Sequence, residues 1–580
     1  MLESDGESLV AGAGVREKLI GGGLTSTGLV AIAALIVAML AQSSCGVISK
    51  TVATGGEVPL KAVPPPKIPH LRVIVFALDG TPRDQFMALV RSGKAPNIAR
   101  LLGDEEDKNG LFEHGYADLD ALSMLPSSTV ADWSAILTGE PPGRNGVTGD
   151  EWFQRENTKF FAPVPISVTD TGDLQKAITD GLIGDELRVP TLYQQPGVDS
   201  NVSLLWIYRG ATLYTTVGPS SFTGLIASAL AGKLNGDDAE KSISGAMDLD
   251  SVTKLTAALE AHGIPNLQVV YFPGIDSFTH LSPNPLPSQL GYLETVTDKG
   301  VGEVLDEYRK LGALDETYVM FVADHGQTPT LNDDNHALGA DGDITPFTVV
   351  HDAGFRVRKA KLTLADNEQD YQAVLAYQGF MAYVYLADRS TCRAEGARCD
   401  WKKPPRFEKD VMPVVRAFYK VNRSGRPIPR LKGTIDLIFA RAPVPAGGNP
   451  LPFQIFDGHR LVSISDYLLA HPRPDLLDLE QRMGWLGTGP YGNHAGDIVL
   501  MSKSGAMPIN NRYYFAAEPH YTWHGSADET DSRIPLVLAQ IGGSGERMRK
   551  IVQANVGKPP SEKDLPAIVR AIIRNHSDDD

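Results

Sequence analysis

The sequence predicts an α/β protein built on a mostly parallel sheet covered by helices on both faces. Three observations carry that expectation. The runs "RVIVFAL" (72–78), "NLQVVYF" (266–272) and "YVMFVA" (318–323) are almost uninterruptedly apolar, as strands buried on both faces are. Helical segments separate them, among them "PNIARLLGDE" with Pro96 near its start and "VGEVLDEYRKLGA" over 301–313. Each run also ends on an acid or on an acid with a histidine: Asp79, then Asp276 and His280 in "YFPGIDSFTH", then Asp324 and His325. Ligands of open α/β sheets bind beyond the carboxyl ends of the strands, so these side chains are predicted to converge on one sheet edge.

The chain has 580 residues, 42% hydrophobic and 21% charged, enough for one large domain or two. Its formal net charge of −16 argues against wrapping a nucleic-acid duplex, which asks for a basic surface. A small phosphate ester stays open, because a bound metal reverses the local field.

Before the first strand, residues 28–41, "GLVAIAALIVAMLA", follow Arg16 and Lys18. The run is shorter than the roughly 20 residues of a membrane-spanning helix. A basic start, a short apolar stretch and then "QSSCG" read as an export signal or an uncleaved membrane anchor over 1–45. Cys45 stands where a bacterial lipoprotein is cleaved and lipidated; Ser43 and Ser44 suit that reading and Gln42 does not. The expected location is the bacterial periplasm or cell surface. Residues 46–70, with Gly and Pro and no period, read as a flexible tether.

Residues 125–152, "LPSSTVADWSAILTGEPPGRNGVTGDEW", place small hydroxyl residues before a helix-like run. Thr129 falls at the start of that helix, where backbone amides favour an anion. A hydroxyl is a poor nucleophile unless activated, and a coordinated divalent ion does this without a histidine base. The plainer use of Ser127, Ser128 and Thr129 is as N-cap residues.

Residues 351–460 are richer in Pro, Arg and Lys and read as an inserted cap on a catalytic domain spanning 71–580. They hold Cys392 and Cys399 in "STCRAEGARCDW", whose natural reading is a short disulfide and hence an oxidising compartment; two free thiols are the alternative. His524, in "YTWHGSADETDSRIPLVLA", precedes one more apolar run, and Asp and His together are ligands for zinc and similar ions. A last amphipathic helix is expected over 564–575, "DLPAIVRAIIRN".

The blocks "VIVFALDGTPRDQ", "LPSSTVADWSAILTGEPPGRNGVTG", "GIDSFTH" with "VADHG", and "WHGSADETDSRIPLVLA" follow one another in the order and spacing of a known family. The chain resembles the alkaline phosphatase superfamily, and within it the type I phosphodiesterase/nucleotide pyrophosphatase branch, which also includes phosphonoacetate hydrolases. The resemblance implies an alkaline phosphatase-like fold and two divalent metal ions, usually zinc. Asp79, Thr129, Asp324 and His325 would hold one ion; Asp276, His280 and His524 would hold the other. Thr129 would attack phosphorus to form a covalent phospho-threonine. A threonine nucleophile resembles the phosphodiesterase and phosphonoacetate hydrolase branches, where sulfatases use a modified Cys or Ser and classical alkaline phosphatases a Ser.

The implied activity is phosphodiester or nucleotide pyrophosphate hydrolysis on a small phosphate-ester substrate. Phosphonate or monoester hydrolysis is the alternative within the enzyme class. A non-catalytic surface protein of the same fold that binds an anionic ligand is the alternative outside it. Asp132 favours the last, because an ionised carboxylate one turn past Thr129 would repel the transition state; the alternatives are that it is protonated, that it pairs with a basic residue such as Arg83 or Arg144, or that it faces a different leaving group. His336, His459, His494 and His520 are expected outside the ligand set, with His494 nearest to it, and Trp152 and Phe153 are expected in the core rather than against a base.

Overall fold

The computed structural model describes residues 56–578 apart from 169–171, 218–241, 340–345, 359–369, 395 and 443–447. The apolar run 72–78 becomes β2 (Arg72–Leu78), the centre of an eight-stranded sheet. The other strands are β1 (Glu57–Pro59), β3 (Gly115–Asp118), β4 (Ser200–Ser203), β5 (Leu213–Thr215), β6 (Leu267–Phe272), β7 (Thr317–Val322) and a last strand, β14 (Leu536–Gln540). Their order is β1-β5-β4-β6-β2-β7-β14-β3. β5, β4, β6, β2 and β7 run parallel, while β1 joins one edge antiparallel to β5 and β14 joins the other antiparallel to both β7 and β3. Every residue of β6 and β7 is buried, which is why these strands are apolar without alternation.

A second sheet lies between β7 and β14 in the chain. It contains β8 (Ala373–Gln378), β9 (Met381–Leu386), β10 (Ile435–Ala440), β11 (Gln454–Phe456), β12 (Leu461–Val462) and β13 (Ile498–Ser502), wholly antiparallel in the order β8-β9-β13-β10-β11-β12. It runs on past residue 460 to Ser502. Both faces are covered: Ala373, Leu375 and Tyr377 pack into one apolar cluster and Val374 and Ala376 into another. The period of two is therefore present in the contacts and invisible in the residue types. Cys392 and Cys399 form a disulfide beside β9, with Cα atoms 4.7 Å apart.

The expectation of a free tether over 46–70 is corrected in part. Glu57–Pro59 pairs antiparallel with Leu213–Thr215, and Val58 is buried. The open edge of β5 offers unpaired backbone groups, and a short apolar-centred segment satisfies them. Residues 46–55 of that tether lie outside the described residues, as do the apolar run 28–41, Cys45 and the rest of 1–45. Among the described residues no helix is long and apolar enough to cross a membrane. The final helix spans Leu565–Asp578 and packs its residues Leu565, Ile568, Val569 and Ile572 into the main core.

Candidate metal centre and nucleophile

Because β6, β2 and β7 are parallel neighbours, their carboxyl ends open on the same edge. Asp79 follows Leu78 there, and Asp324 and His325 follow β7 after one residue. After β6 the chain turns into a short helix, α2 (Gly274–Leu281), which carries Asp276 in its first turn and His280 in its last. Asp276 and His280 are four residues apart, so both lie on one face. His524 follows the two-residue strand Thr522–Trp523, which pairs with Thr328–Pro329 just beyond His325.

Two groups of metal-ligand type result: Asp79, Asp324 and His325, and Asp276, His280 and His524, each with its donor atoms within 4.8 Å of one another. They adjoin, since the His325 and His524 rings stack at 3.7 Å. Thr129 opens α1 (Thr129–Thr138), and its Oγ1 lies 3.1 Å from His325 Nε2. All seven residues expected as site residues thus meet at one edge.

Three features of the side chains fit a divalent cation. First, each histidine donates Nδ1–H to a carbonyl: His280 to Thr522 O (2.7 Å), His325 to Gly326 O (2.9 Å) and His524 to Ser127 O (2.9 Å). A carbonyl only accepts, so the tautomer is fixed and Nε2 is turned to the site as a lone-pair donor. Second, Asp79 Oδ1 and Asp324 Oδ2 are buried with no hydrogen-bond partner, an arrangement that is costly unless a cation answers it. Third, the opposite oxygens are held: Tyr271 donates its hydroxyl to Asp79 Oδ2, and Gly80 N–H and His325 N–H donate to Asp324 Oδ1 at 3.0 and 2.9 Å. Gln327 Nε2 likewise donates to Asp276 Oδ1.

Charge crowding is visible in the proton affinities. Burial, then the charges of Asp324 and Asp276, push the Asp79 carboxyl well above the usual carboxylate range. Burial raises Asp324 as well. Burial would raise Asp276 too, but the neighbouring His280 reverses it and holds it below the ordinary value. Burial and the adjacent His325 push His524 well below the ordinary imidazole value.

Asp132 requires a correction. It is buried, but Arg83 donates to Leu119 O, Asp84 and Glu529, and Arg144 to Glu140. The charged groups acting on Asp132 are Glu562, Asp324 and Arg482; burial, then Glu562 and Asp324, push its carboxyl well above the ordinary range. Asp150 is the acid beside the nucleophile: its Oδ1 accepts the Val130 N–H at 2.9 Å, so this helix-start amide is already taken. Burial raises Asp150 to about 8, with Asp276 and Asp324 adding to it. Nothing in "VTGDEW" separates Asp150 from Glu151, which instead accepts from Ile166 N and Ser167 N.

The remaining candidates fall outside the ligand set. His494 is buried between Gly146 O and Glu156, and His336 is held by Asp333. His459 sits in an exposed turn, its backbone N–H on Asp457. His520 stands edge-on to His280 at 5.5 Å, its pKa lowered to about 4 by burial and by His280. Trp152 stacks on Phe161, and Phe153 packs against Tyr371, Tyr385 and Trp401 in the core.

The second sheet reaches this edge through the turn between β8 and β9. Phe380 N–H donates to His524 O at 2.9 Å. Gly379 has φ +68°, and a Cβ there would lie 2.1 Å from His524 O. Gln378 accepts the Asp150 N–H at 2.7 Å.

Acids and imidazoles gathered around a helix-start threonine at the edge of a parallel sheet are the equipment of the metal-dependent phosphoric ester hydrolases. Within that class the chain belongs to the type I phosphodiesterase/nucleotide pyrophosphatase family, whose sequence model matches residues 73–394. The family's chemistry is phosphodiester, pyrophosphate or phosphonate hydrolysis. No curated relative matches the chain. Among solved structures, the chain is similar to the phosphonoacetate hydrolase of Sinorhizobium meliloti 1021 in complex with phosphonoformate, at 14% identity over 89% of this chain and 99% of that one, with a TM-score of 0.42. It is also similar to an inactive form of murine ectonucleotide pyrophosphatase/phosphodiesterase 5 in complex with AMP, at 12% identity over 87% of this chain and 95% of that one, with a TM-score of 0.47.

Proposed function

We propose that the protein is an exported two-metal phosphoesterase that hydrolyses phosphodiesters or nucleotide pyrophosphates through a phospho-threonine intermediate. The observation that carries this reading is Thr129 Oγ1 at 3.1 Å from His325 Nε2, beside the partnerless oxygens of Asp79 and Asp324. Asp79, Thr129, Asp324 and His325 would hold one ion, and Asp276, His280 and His524 the other; zinc suits this mixture of imidazole and carboxylate. Bound metal favours the alkoxide of a coordinated hydroxyl and offsets phosphoryl charge in an otherwise acidic protein.

Thr129 Oγ1 forms a bond to phosphorus as the bond to the leaving oxygen breaks, and that oxygen departs with the proton the hydroxyl gives up. Water oxygen then bonds to phosphorus as the bond from phosphorus to Thr129 Oγ1 breaks, and a proton from that water restores the Thr129 hydroxyl. Burial and Glu562 push the Asp132 carboxyl toward its neutral form, which lessens its repulsion of a phosphoryl group. Export rests on the N-terminal sequence, with Cys45 as the lipid attachment point, and the Cys392–Cys399 disulfide is consistent with an oxidising compartment.

The test is steady-state hydrolysis of an aryl phosphodiester and its matching monoester by residues 46–580, with and without added zinc. Diester turnover that requires zinc is expected. Thr129→Ala is expected to abolish it, by about 10³-fold or more, while the other six ligands keep the metal. Turnover unchanged in Thr129→Ala would remove the covalent mechanism.

A further inference from the structure

We infer that Arg482 is a positioning residue for Thr129, reaching from the lobe built around the second sheet to clamp the segment that leads into the nucleophile in the lobe built around the first. The inference rests on the reading of Thr129 as nucleophile. Arg482 lies on α3 (Leu479–Gly487), between β12 and β13 in the chain, and is fully buried. Its guanidinium donates to Ser123 O (3.1 Å), Ser123 Oγ (3.2 Å), Met124 O (2.8 Å) and Ser127 Oγ (3.0 Å). It also donates to Leu477 O (3.2 Å) and Ser532 Oγ (2.8 Å). Four of these six contacts fall on residues 123–127, directly ahead of Thr129.

The same segment carries a ligand contact. Ser127 Oγ donates to Ser526 O at 2.9 Å, and Ser127 O accepts Nδ1–H of His524. Arg482 therefore grips, through one serine, both the approach to Thr129 and the group that orients His524. Glu562 closes the segment from the other side by accepting the Met124 N–H at 2.9 Å.

Only an arginine suits this place. Five N–H donors in a rigid plane reach six acceptors, which an ammonium cannot do. A buried guanidinium also needs compensating charge, and Asp132 and Glu562 both face it. Burial pushes both carboxyls well above their ordinary range.

The test compares the intact protein with Arg482→Ala, after Thr129→Ala has been shown to lack turnover. Arg482→Ala is expected to lose about 10²-fold in kcat with KM and zinc content near wild type, since small misplacements of a reacting group cost about that much. Added guanidinium ion is expected to recover at least about tenfold of kcat, because it refills the site of the missing fork. A residue that merely held the lobes together would lower thermal stability without this recovery. Wild-type kcat in Arg482→Ala, or a loss that guanidinium does not relieve, overturns the inference while leaving Thr129 as nucleophile. Turnover in Thr129→Ala overturns both. If Arg482→Ala does not fold, Arg482→Lys decides: a tenfold or larger fall in kcat at unchanged KM supports the clamp, and full kcat overturns it.

Discussion

Asp79, Asp324 and His325 sit at strand ends with side-chain exposures of 4%, 0% and 0%, whereas Asp276 and His280 ride on a helix with 16% and 12% open to solvent. The inner group is fixed by the hydrogen bonds of β2 and β7, and its two partnerless oxygens face each other in a dry setting. The outer group draws on a helix and on the segment holding His524, two parts of the chain that must be brought together by packing. The difference teaches a division of work. The inner group adjoins Thr129 and is fully enclosed; the outer group keeps Asp276 and His280 partly exposed.

The sharpest way to break this contrast is Asp324→Ala. It is expected to cost about 10³-fold or more in kcat and to remove the inner ion, read by metal analysis of the purified protein. His280→Ala is expected to cost less, about 10²-fold, with partial recovery in excess zinc; a chelator titration of the wild type should likewise release the outer ion first. Equal losses in the two variants would erase the distinction between the groups. Tyr271→Phe removes only the hydroxyl that steadies Asp79, and a fall of about tenfold in metal affinity is expected by zinc titration.

A last contrast, read in stability rather than in metal or turnover, sets the partnerless acids against Asp248. That carboxyl is equally buried but accepts from Tyr292 Oη (2.8 Å) and Gly274 N (3.3 Å), and burial raises it to about 8. Its folded pKa lies above the unfolded value of about 3.9, so the folded state keeps a proton that the unfolded chain gives up. Stability from this group is full below about pH 4 and declines as pH rises toward 8, by at most about 1.4 kcal/mol per pH unit. Asp248→Asn should flatten that decline, measured as urea midpoints at pH 5 and pH 8. A variant whose midpoints fall as steeply as wild type would show that other groups set the slope.

Much of the site was legible because its signals were local. Asp79, Asp276, His280, Asp324 and His325 stand next to apolar runs whose residue types already declare buried strands, and Thr129 stands at a helix start. What was illegible depended on distant partners. Asp132 and Asp150 are both acids near Thr129, and only the fold turns one to Glu562 and the other to the Val130 amide. Arg482, in "DLEQRMGWLG", reads as an ordinary surface arginine until α3 docks on residues 123–127. Glu57–Pro59 becomes a strand only because β5 leaves an edge open.

The close approach of Gly379 to His524 has a consequence for how such a protein can be altered by descent or by engineering. The turn that joins two strands of the second sheet leaves no space for a methyl group beside a ligand's backbone. The second sheet is thus no detachable module for exchanging substrate preference. A transplanted sheet would have to reproduce this glycine and its neighbouring amide, or the histidine would shift with it. Changes in specificity should accumulate on surfaces away from the turn, leaving the joint between the lobes as the slowest part of the molecule to vary.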